Sequence, residues 1–431
     1  MTRAQRLALL AIVGVGFGLR LAWALYARAE PPERWYLSGD QYSYYYYGSE
    51  IAQGRGYLSY LSGEATAYYP IGYPAILGAL YFVVLQTPIP DNLLMATTLF
   101  HVVIGSATVG LVFLVGRAVG GVRAGLAAAA VLAIWPNAVF LGPTLLLEPT
   151  SMFLTTAAVA LAVTHDWSIG LPSRSRLVLV GGVLGASVLV RPFSIWLLLG
   201  LLLAARVSGA SWRRAVATAA VPLMVVVLMM GPWTVRNLGA MDAFVPSSTN
   251  MGDTLCLDRW AGATGGFSFT PDHDGCVDPG LPEVTRNTGN TRKAVGFVIR
   301  HPQLEARQIL RRGQRMMADD HFGLDEVNNL GGDDPLSSRE LGRLVPIADR
   351  YWYGVLLAAG VGAVLLIRSR HRRPAIVLMG TTGLGLFVVP LLLWGNPRFH
   401  GPLMPFLAVA AGVAVAAAVE RGERQWERRR A

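Results

Sequence analysis

Lysine is all but absent from this 431-residue chain, in which Lys293 is the only one. Charge of either sign is scarce: 15% of residues are charged, against 53% hydrophobic. Cysteine occurs only twice, as Cys256 and Cys276. So few charges, with the apolar residues gathered in long blocks, exclude an ordinary soluble protein, because the blocks are too long and too apolar for buried core helices. The composition describes an all-α polytopic membrane protein, with no separate soluble catalytic domain in view. The arginine bias, beside abundant Ala, Gly and Val, fits codon usage in a GC-rich bacterial genome and carries no chemistry. The first block follows Arg3 and Arg6 as a signal peptide would, yet no small-x-small cleavage site follows it, and it reads as a retained span. A formal charge of +10 would point to nucleic acid in a soluble protein. Here the arginines crowd into short loops and set orientation instead, so no nucleic-acid partner is expected.

About ten spans are expected, at residues 7–27, 93–116, 124–141, 149–164, 177–190, 193–206, 215–233, 351–367, 374–393 and 401–419. With the N-terminus in the cytoplasm, Arg117 and Arg123, Arg174 and Arg176, Arg206, Arg213 and Arg214, "RSRHRR" (368–373) and the basic tail all fall inside. Counting "IGYPAILGALYFVVLQ" (71–86) as a span would send the later basic loops outside, so it reads as a helix along the outer membrane surface. Three regions follow: residues 1–235, a transmembrane module with an outer loop at 28–92; 236–350, an outer loop region; and 351–431, the last spans and a basic tail.

Both cysteines lie in the long outer loop, where an oxidising compartment would favour a disulfide worth ~3 kcal/mol over two free thiols. Asp272 and His273 nearby lack the paired spacing of a zinc site, and the acids of "LGGDDPLSSRE" (330–340) lack the spaced pattern of a calcium loop. Residues 292–317 read as one amphipathic helix whose arginines could meet anionic headgroups.

With this topology the polar residues of the short turns gather on one side. Asp40 follows the first span, Glu148 lies in "GPTLLLEPTS", Arg191 in "LVRPFS", Arg236 in "PWTVRN", and Arg398 and His400 in "WGNPRFHGPLMP". Singly, each has a plain explanation: a snorkelling arginine, a helix-capping acid. Tyr42, Tyr45 and Tyr46 share a helical face and read as an interfacial aromatic belt. Together, four turns with a charge beside Pro or Gly exceed what anchoring requires. Guanidinium forks pair bidentately with phosphate oxygens, and a neighbouring carboxylate suits a general base for an attacking hydroxyl. The set describes group transfer from a lipid phosphate.

The order of these motifs resembles the GT-C glycosyltransferase superfamily, specifically glycosyltransferase family 39, the bacterial relatives of protein O-mannosyltransferases and aminoarabinose transferases. "GDQYSYYYYGSEIAQGRGY" and "YYPIGYPAILGALY" match its first outer loop, although the usual proline pair is incomplete at Tyr69-Pro70-Ile71-Gly72-Tyr73-Pro74. "LLLEPT", "LVRPFS", "PWTVRN" and "NPRFHGPLMPFLAVAAG" follow in family order. The resemblance implies a GT-C-like fold and inverting transfer of a sugar from a polyprenyl-phosphate donor to a glycan, lipid or protein acceptor, at the outer face of the bacterial cytoplasmic membrane. It implies Asp40 as base, Glu148 as an acceptor or metal ligand, and Arg191, Arg236 and Arg398 at the donor phosphate. Tyr73 and His400 are further candidates, His400 standing where the family has another basic or aromatic residue. A flippase or transporter of polyprenyl-linked saccharides is the alternative from another class, and no internal repeat of the transporter kind is visible. An O-antigen polymerase or ligase is a third, against which an essential first-loop Asp would count.

Overall fold

The computed structural model describes residues 1–28, 37, 39–88, 92–260, 262–267, 276, 280–328, 336–369 and 372–430. The chain opens with α1 (Arg3–Ala27), whose first turn is closed by reciprocal bonds between Thr2 and Gln5. The first loop carries α2 (Gly39–Ala52) and α3 (Gly72–Leu85). A run of helices follows: α4 (Leu93–Gly120), α5 (Val122–Ala133), the short α6 (Pro136–Phe140), α7 (Glu148–Val163), α8 (Arg174–Val190), α9 (Leu197–Val207) and α10 (Trp212–Met241). The long loop holds α11 (Met251–Cys256), α12 (Glu283–Arg300), α13 (Pro302–Met317) and α14 (Phe322–Asn328). The chain ends with α15 (Ser338–Arg368), α16 (Arg373–Leu391) and α17 (Met404–Arg430). Short 3₁₀ runs, Pro192–Trp196 and Pro397–Leu403, lead into α9 and α17. Among the described residues extended pairing is limited to two isolated bridges, Leu58 with Ala65 and Gly266 with Gly395.

Among the described residues six helices are long and apolar enough to cross a membrane, namely α1, α4, α10, α15, α16 and α17 with its leading 3₁₀ run. The other expected spans correspond to the shorter α5, α7, α8 and α9, in an all-α polytopic membrane protein. Two expected helices are broken by proline, which bars the preceding residue from helical geometry. Trp135 before Pro136 is extended at φ −66°, ψ 114°, so 124–141 is two helices. His301 before Pro302, at φ −131°, ψ 54°, splits 292–317 into α12 and α13.

One large apolar core joins α4, α5, α7, α8, α9, α10, α15, α16 and α17. Small residues let its helices approach closely: a Cβ on Gly412 of α17 would lie 2.5 Å from the Ala128 nitrogen of α5. Where α5 ends, buried Arg20 of α1 supplies the missing donors. Its Nη1 and Nη2 donate to the carbonyls of Ala133 and Leu132, each at 3.1 Å. A buried charge within an apolar helix thus has a structural task, closing a helix terminus.

The long loop is fastened at several places. Cys256 and Cys276 are joined as a disulfide, with Cα atoms 5.6 Å apart. Arg312, fully buried, donates to Asp258 at 2.6 Å and to Glu305 at 2.7 Å, and Arg259 donates to Glu305 at 2.8 Å. The same two arginines reach the carbonyls of Leu391 and Leu392 at the end of α16. Glu283, opening α12, accepts from Thr66 Oγ1 at 2.6 Å and the Ala67 N–H at 2.9 Å, tying the long loop to the first. The arginines of 292–317 are therefore divided: Arg312 points into protein, while Arg307, Arg311 and Arg315 stay exposed. Asp272 and His273 and the acids at 333–334 lie outside the described residues.

Candidate functional site

Asp40 sits in the first turn of α2, which begins at Gly39, whose φ of +54° is the left-handed conformation glycine tolerates. Tyr44 and Tyr47, one helical turn apart, are both only 2% exposed. They pack among Tyr57, Tyr69 and Tyr73, with Tyr44 edge-on to Tyr73 at 5.0 Å. The tyrosine run therefore has two faces: Tyr42 is exposed as a belt residue would be, whereas Tyr44 and Tyr47 bind the first loop together.

Glu148 opens α7 with Pro149 behind it, at the positive end of the helix, where a carboxylate is favoured. Arg191 follows α8 and precedes Pro192, which holds it extended. The approach of α3 to this turn requires glycine: a Cβ on Gly72 would lie 2.4 Å from the Leu189 carbonyl carbon. Arg398 stands at the start of the 3₁₀ run, its N–H capped by Asn396 Oδ1 at 2.8 Å.

These four residues meet. Arg398 Nη1 donates to Asp40 Oδ2 at 2.6 Å and its Nε to Glu148 Oε1 at 2.9 Å, while Arg191 Nη2 donates to the same Glu148 oxygen at 2.6 Å. Phe399 lies 5.6 Å from the Arg191 guanidinium and 5.9 Å from that of Arg398. The side chains grade from closed to open: Glu148 is 0% exposed, Arg191 7%, Arg398 13% and Asp40 29%. Two buried polar atoms have no partner, Glu148 Oε2 and Arg191 Nη1. An unpaired buried polar atom costs free energy in a native structure, and these two, an acceptor and a donor, belong to residues from sequence-distant turns that share a salt bridge.

Asp40's other oxygen, Oδ1, accepts from Tyr69 Oη at 2.6 Å. Burial alone would raise this carboxyl, but the Arg398 guanidinium and the Tyr69 hydroxyl outweigh it and hold Asp40 below the usual carboxylate range. A third acid stands close by: Glu326 of α14, hydrogen-bonded to the Gln41 amide at 2.8 Å. Burial pushes Glu326 up to about 7, with Arg398 opposing and Asp40 and Glu148 adding to the rise. Tyr69, Gln41 and Glu326 were not singled out in the sequence. Gln41 directly follows Asp40 and Tyr69 opens the Pro-Gly motif, whereas Glu326 carries no local signal.

Three expected residues are placed elsewhere. Arg236 donates to the carbonyls of Thr66 and Tyr57, each at 2.7 Å, and to Asn237 at 2.9 Å, clamping the first loop to α10. Both ring nitrogens of His400 face acceptors, the Met316 carbonyl and Asp320 Oδ1, each at 2.7 Å. It stacks on Trp352 at 4.2 Å, and Asp320 also accepts from Trp135 and Asn137, so His400 docks the long loop on the bundle. The hydroxyl of Tyr73, wholly buried, goes to His101 at 3.2 Å.

The arrangement does not fit a divalent cation. Among the described residues no group of three or more His, Cys, Asp or Glu is placed to hold one, and Asp40 and Glu148 are already paired with two guanidiniums, those of Arg398 and Arg191.

No protein-family model matches the sequence, and no curated protein does. Solved structures do. The apo oligosaccharyltransferase of Archaeoglobus fulgidus overlays with a TM-score of 0.59 at 14% identity, covering 98% of this chain and 52% of that one. The same archaeal enzyme, AglB, in complex with an inhibitory peptide and a dolichol-phosphate, gives 0.54 at 15%, covering 99% and 52%. This chain has a GT-C-like fold. It spans about half the length of those structures. ArnT of Cupriavidus metallidurans bound to undecaprenyl phosphate overlays more loosely, at 0.43 and 17% identity, covering 91% and 77%.

Proposed function

We propose that the chain is a membrane glycosyltransferase that moves a sugar from a polyprenyl-phosphate donor to a hydroxyl acceptor at the outer face of the cytoplasmic membrane. One observation carries this reading: Arg398 bridges Asp40 and Glu148, while the buried Arg191–Glu148 pair keeps a free donor and a free acceptor. A phosphate would satisfy Arg191 Nη1 and draw on Arg398, in the bidentate manner guanidinium favours. An acceptor hydroxyl or amide hydrogen would satisfy Glu148 Oε2. The fold supports the reading, since AglB was solved with a dolichol-phosphate.

In the proposed step the acceptor oxygen attacks the anomeric carbon from the face opposite the phosphate. The new C–O bond forms as the bond to the phosphate oxygen breaks. The electron pair leaves on the phosphate beside Arg191 and Arg398, and the hydroxyl proton passes to Asp40. As Arg398 turns toward the departing phosphate, its hold on Asp40 weakens and the carboxylate becomes a stronger base.

The test is incubation of the purified protein with a panel of polyprenyl-phosphate sugars, each with and without chelator. Transfer with at least one donor, insensitive to chelator and abolished in Asp40→Asn with folding intact, is expected. A fully active Asp40→Asn protein would sink the base assignment, and chelator-abolished transfer would restore a metal.

A further inference from the structure

Gln41 follows Asp40 in α2, and only 1% of it is exposed. Its Oε1 accepts from the Leu145 N–H at 3.0 Å. That contact fixes the amide's orientation, because a backbone N–H can only donate. Nε2 is thereby aimed at α14, donating to Glu326 Oε2 at 2.8 Å and to the Glu326 carbonyl at 3.3 Å. One buried amide thus joins three segments: the helix of Asp40, the turn that leads into Glu148, and the long loop. Arg398 also joins the two acids, but through charges for which an arriving phosphate would compete. The Gln41 bonds run from an uncharged amide to the Leu145 N–H and to Glu326, and an arriving anion would not compete for them.

We propose that Gln41 and Glu326 are positioning residues, a strut through which the long loop fixes the spacing of Asp40 and Glu148. As a role in sugar transfer, this rests on the reading of the site given above. The groups facing Glu326 are the Asp40 and Glu148 carboxylates, the Arg398 guanidinium and the Gln41 amide. From α6, Asn137 Oδ1 accepts from the Gly323 N–H, and within α14 the exposed Asp325 lies 3.8 Å from His321. A neutral Glu326 still accepts from Gln41, whereas an ionised one adds a third negative charge to the site. The carboxyl is raised in the folded protein, from 4.5 to about 7. Its contribution to docking is therefore full below pH 4.5 and is lost as pH rises through about 7.

Hydrogen exchange of the full-length protein in detergent tests this, read on peptides covering residues 322–328 and corrected for intrinsic rates. Opening of α14 in the wild type should rise about tenfold between pH 6 and pH 8. Glu326→Gln, which keeps an acceptor for Gln41, should stay protected at both. Gln41→Ala should be open at both. A flat wild-type profile, or an unchanged rise in Glu326→Gln, overturns the strut. In the transfer assay, kcat should fall over the same pH range in the wild type and not in Glu326→Gln, with donor KM little changed. Exchange as expected with no transfer from any donor overturns the proposed activity and leaves the strut standing; transfer with flat exchange does the reverse.

Discussion

Two buried clusters in this chain are made of the same parts, two acids and two arginines, and are completed differently. In the long loop, Asp258 accepts from Arg312 on Oδ2 and from the Gly265 N–H on Oδ1, and Glu305 accepts from both arginines. The spare donors of Arg259 and Arg312 close on the carbonyls of Leu392 and Leu391. No buried nitrogen or oxygen of those four side chains lacks a partner. In the group of Asp40, Glu148, Arg191 and Arg398, Glu148 Oε2 and Arg191 Nη1 are left over. Residue type and burial alone would call both clusters functional or both structural. The completed set behaves as a clasp, and the incomplete one has a place for something from outside.

The largest expected effect separates the two by stability. Arg312→Met leaves Asp258 and Glu305 buried with less than their countercharge, which should cost about 3–5 kcal/mol and show as lost thermal stability in detergent. A loss no larger than that of a surface substitution would mean that this cluster is not a clasp. Asp40→Asn should do the opposite, slowing transfer by about 10²–10⁴ while the melting temperature barely moves. The next effect concerns pH. Asp40 is held below its ordinary 3.8 chiefly because Arg398 outweighs burial, so it stays ionised as pH falls to 3.8 and the acid limb of the rate lies below that. Arg398→Gln removes the largest opposing charge and leaves only the Tyr69 hydroxyl and the more distant Arg191 against burial, so the residual activity should lose acid tolerance, with the limb moving to higher pH. An unmoved limb would take Arg398 out of contact with the base.

How far the sequence reveals this depends on how local each signal is. The helices are legible because apolar length is a property of one segment, and Asp40, Glu148, Arg191 and Arg398 because a charge in a short turn beside Pro or Gly stands out against a greasy background. What they bind is not local: the Arg398–Asp40 contact spans 358 positions. Arg236 and His400 carry the same local signal and go to backbone carbonyls and to Asp320 instead. Arg312 sits in an amphipathic pattern that looks like a headgroup-facing helix, and only its contacts with Asp258, distant in sequence, and Glu305 show that it faces inward. Glu326 lies in a stretch without motif or long periodicity, and its meaning comes entirely from the buried amide it meets. In the tyrosine run the sequence marks only the face of Tyr42, Tyr45 and Tyr46, as an interfacial helix, and the burial of Tyr44 and Tyr47 comes from rings that are distant in sequence.

The smallest expected effect sharpens the same contrast. Arg236 resembles the site arginines in sequence, at the end of an apolar helix and beside Asn237, yet its donors are spent on the Thr66 and Tyr57 carbonyls and its guanidinium lies 5.0 Å from the Trp233 ring. It belongs with the clasp. Arg236→Gln should therefore lower stability by about 1–3 kcal/mol, since charged hydrogen bonds to the carbonyls of buried Thr66 and Tyr57 are lost, and leave kcat within about twofold. Measuring melting temperature and transfer on one preparation decides the matter. A rate loss approaching that of Asp40→Asn with an unchanged melting temperature would place Arg236 at the donor phosphate, as its motif alone implies. Loss of stability with the rate intact would show that an arginine's bonds, rather than its place in a motif, assign its task.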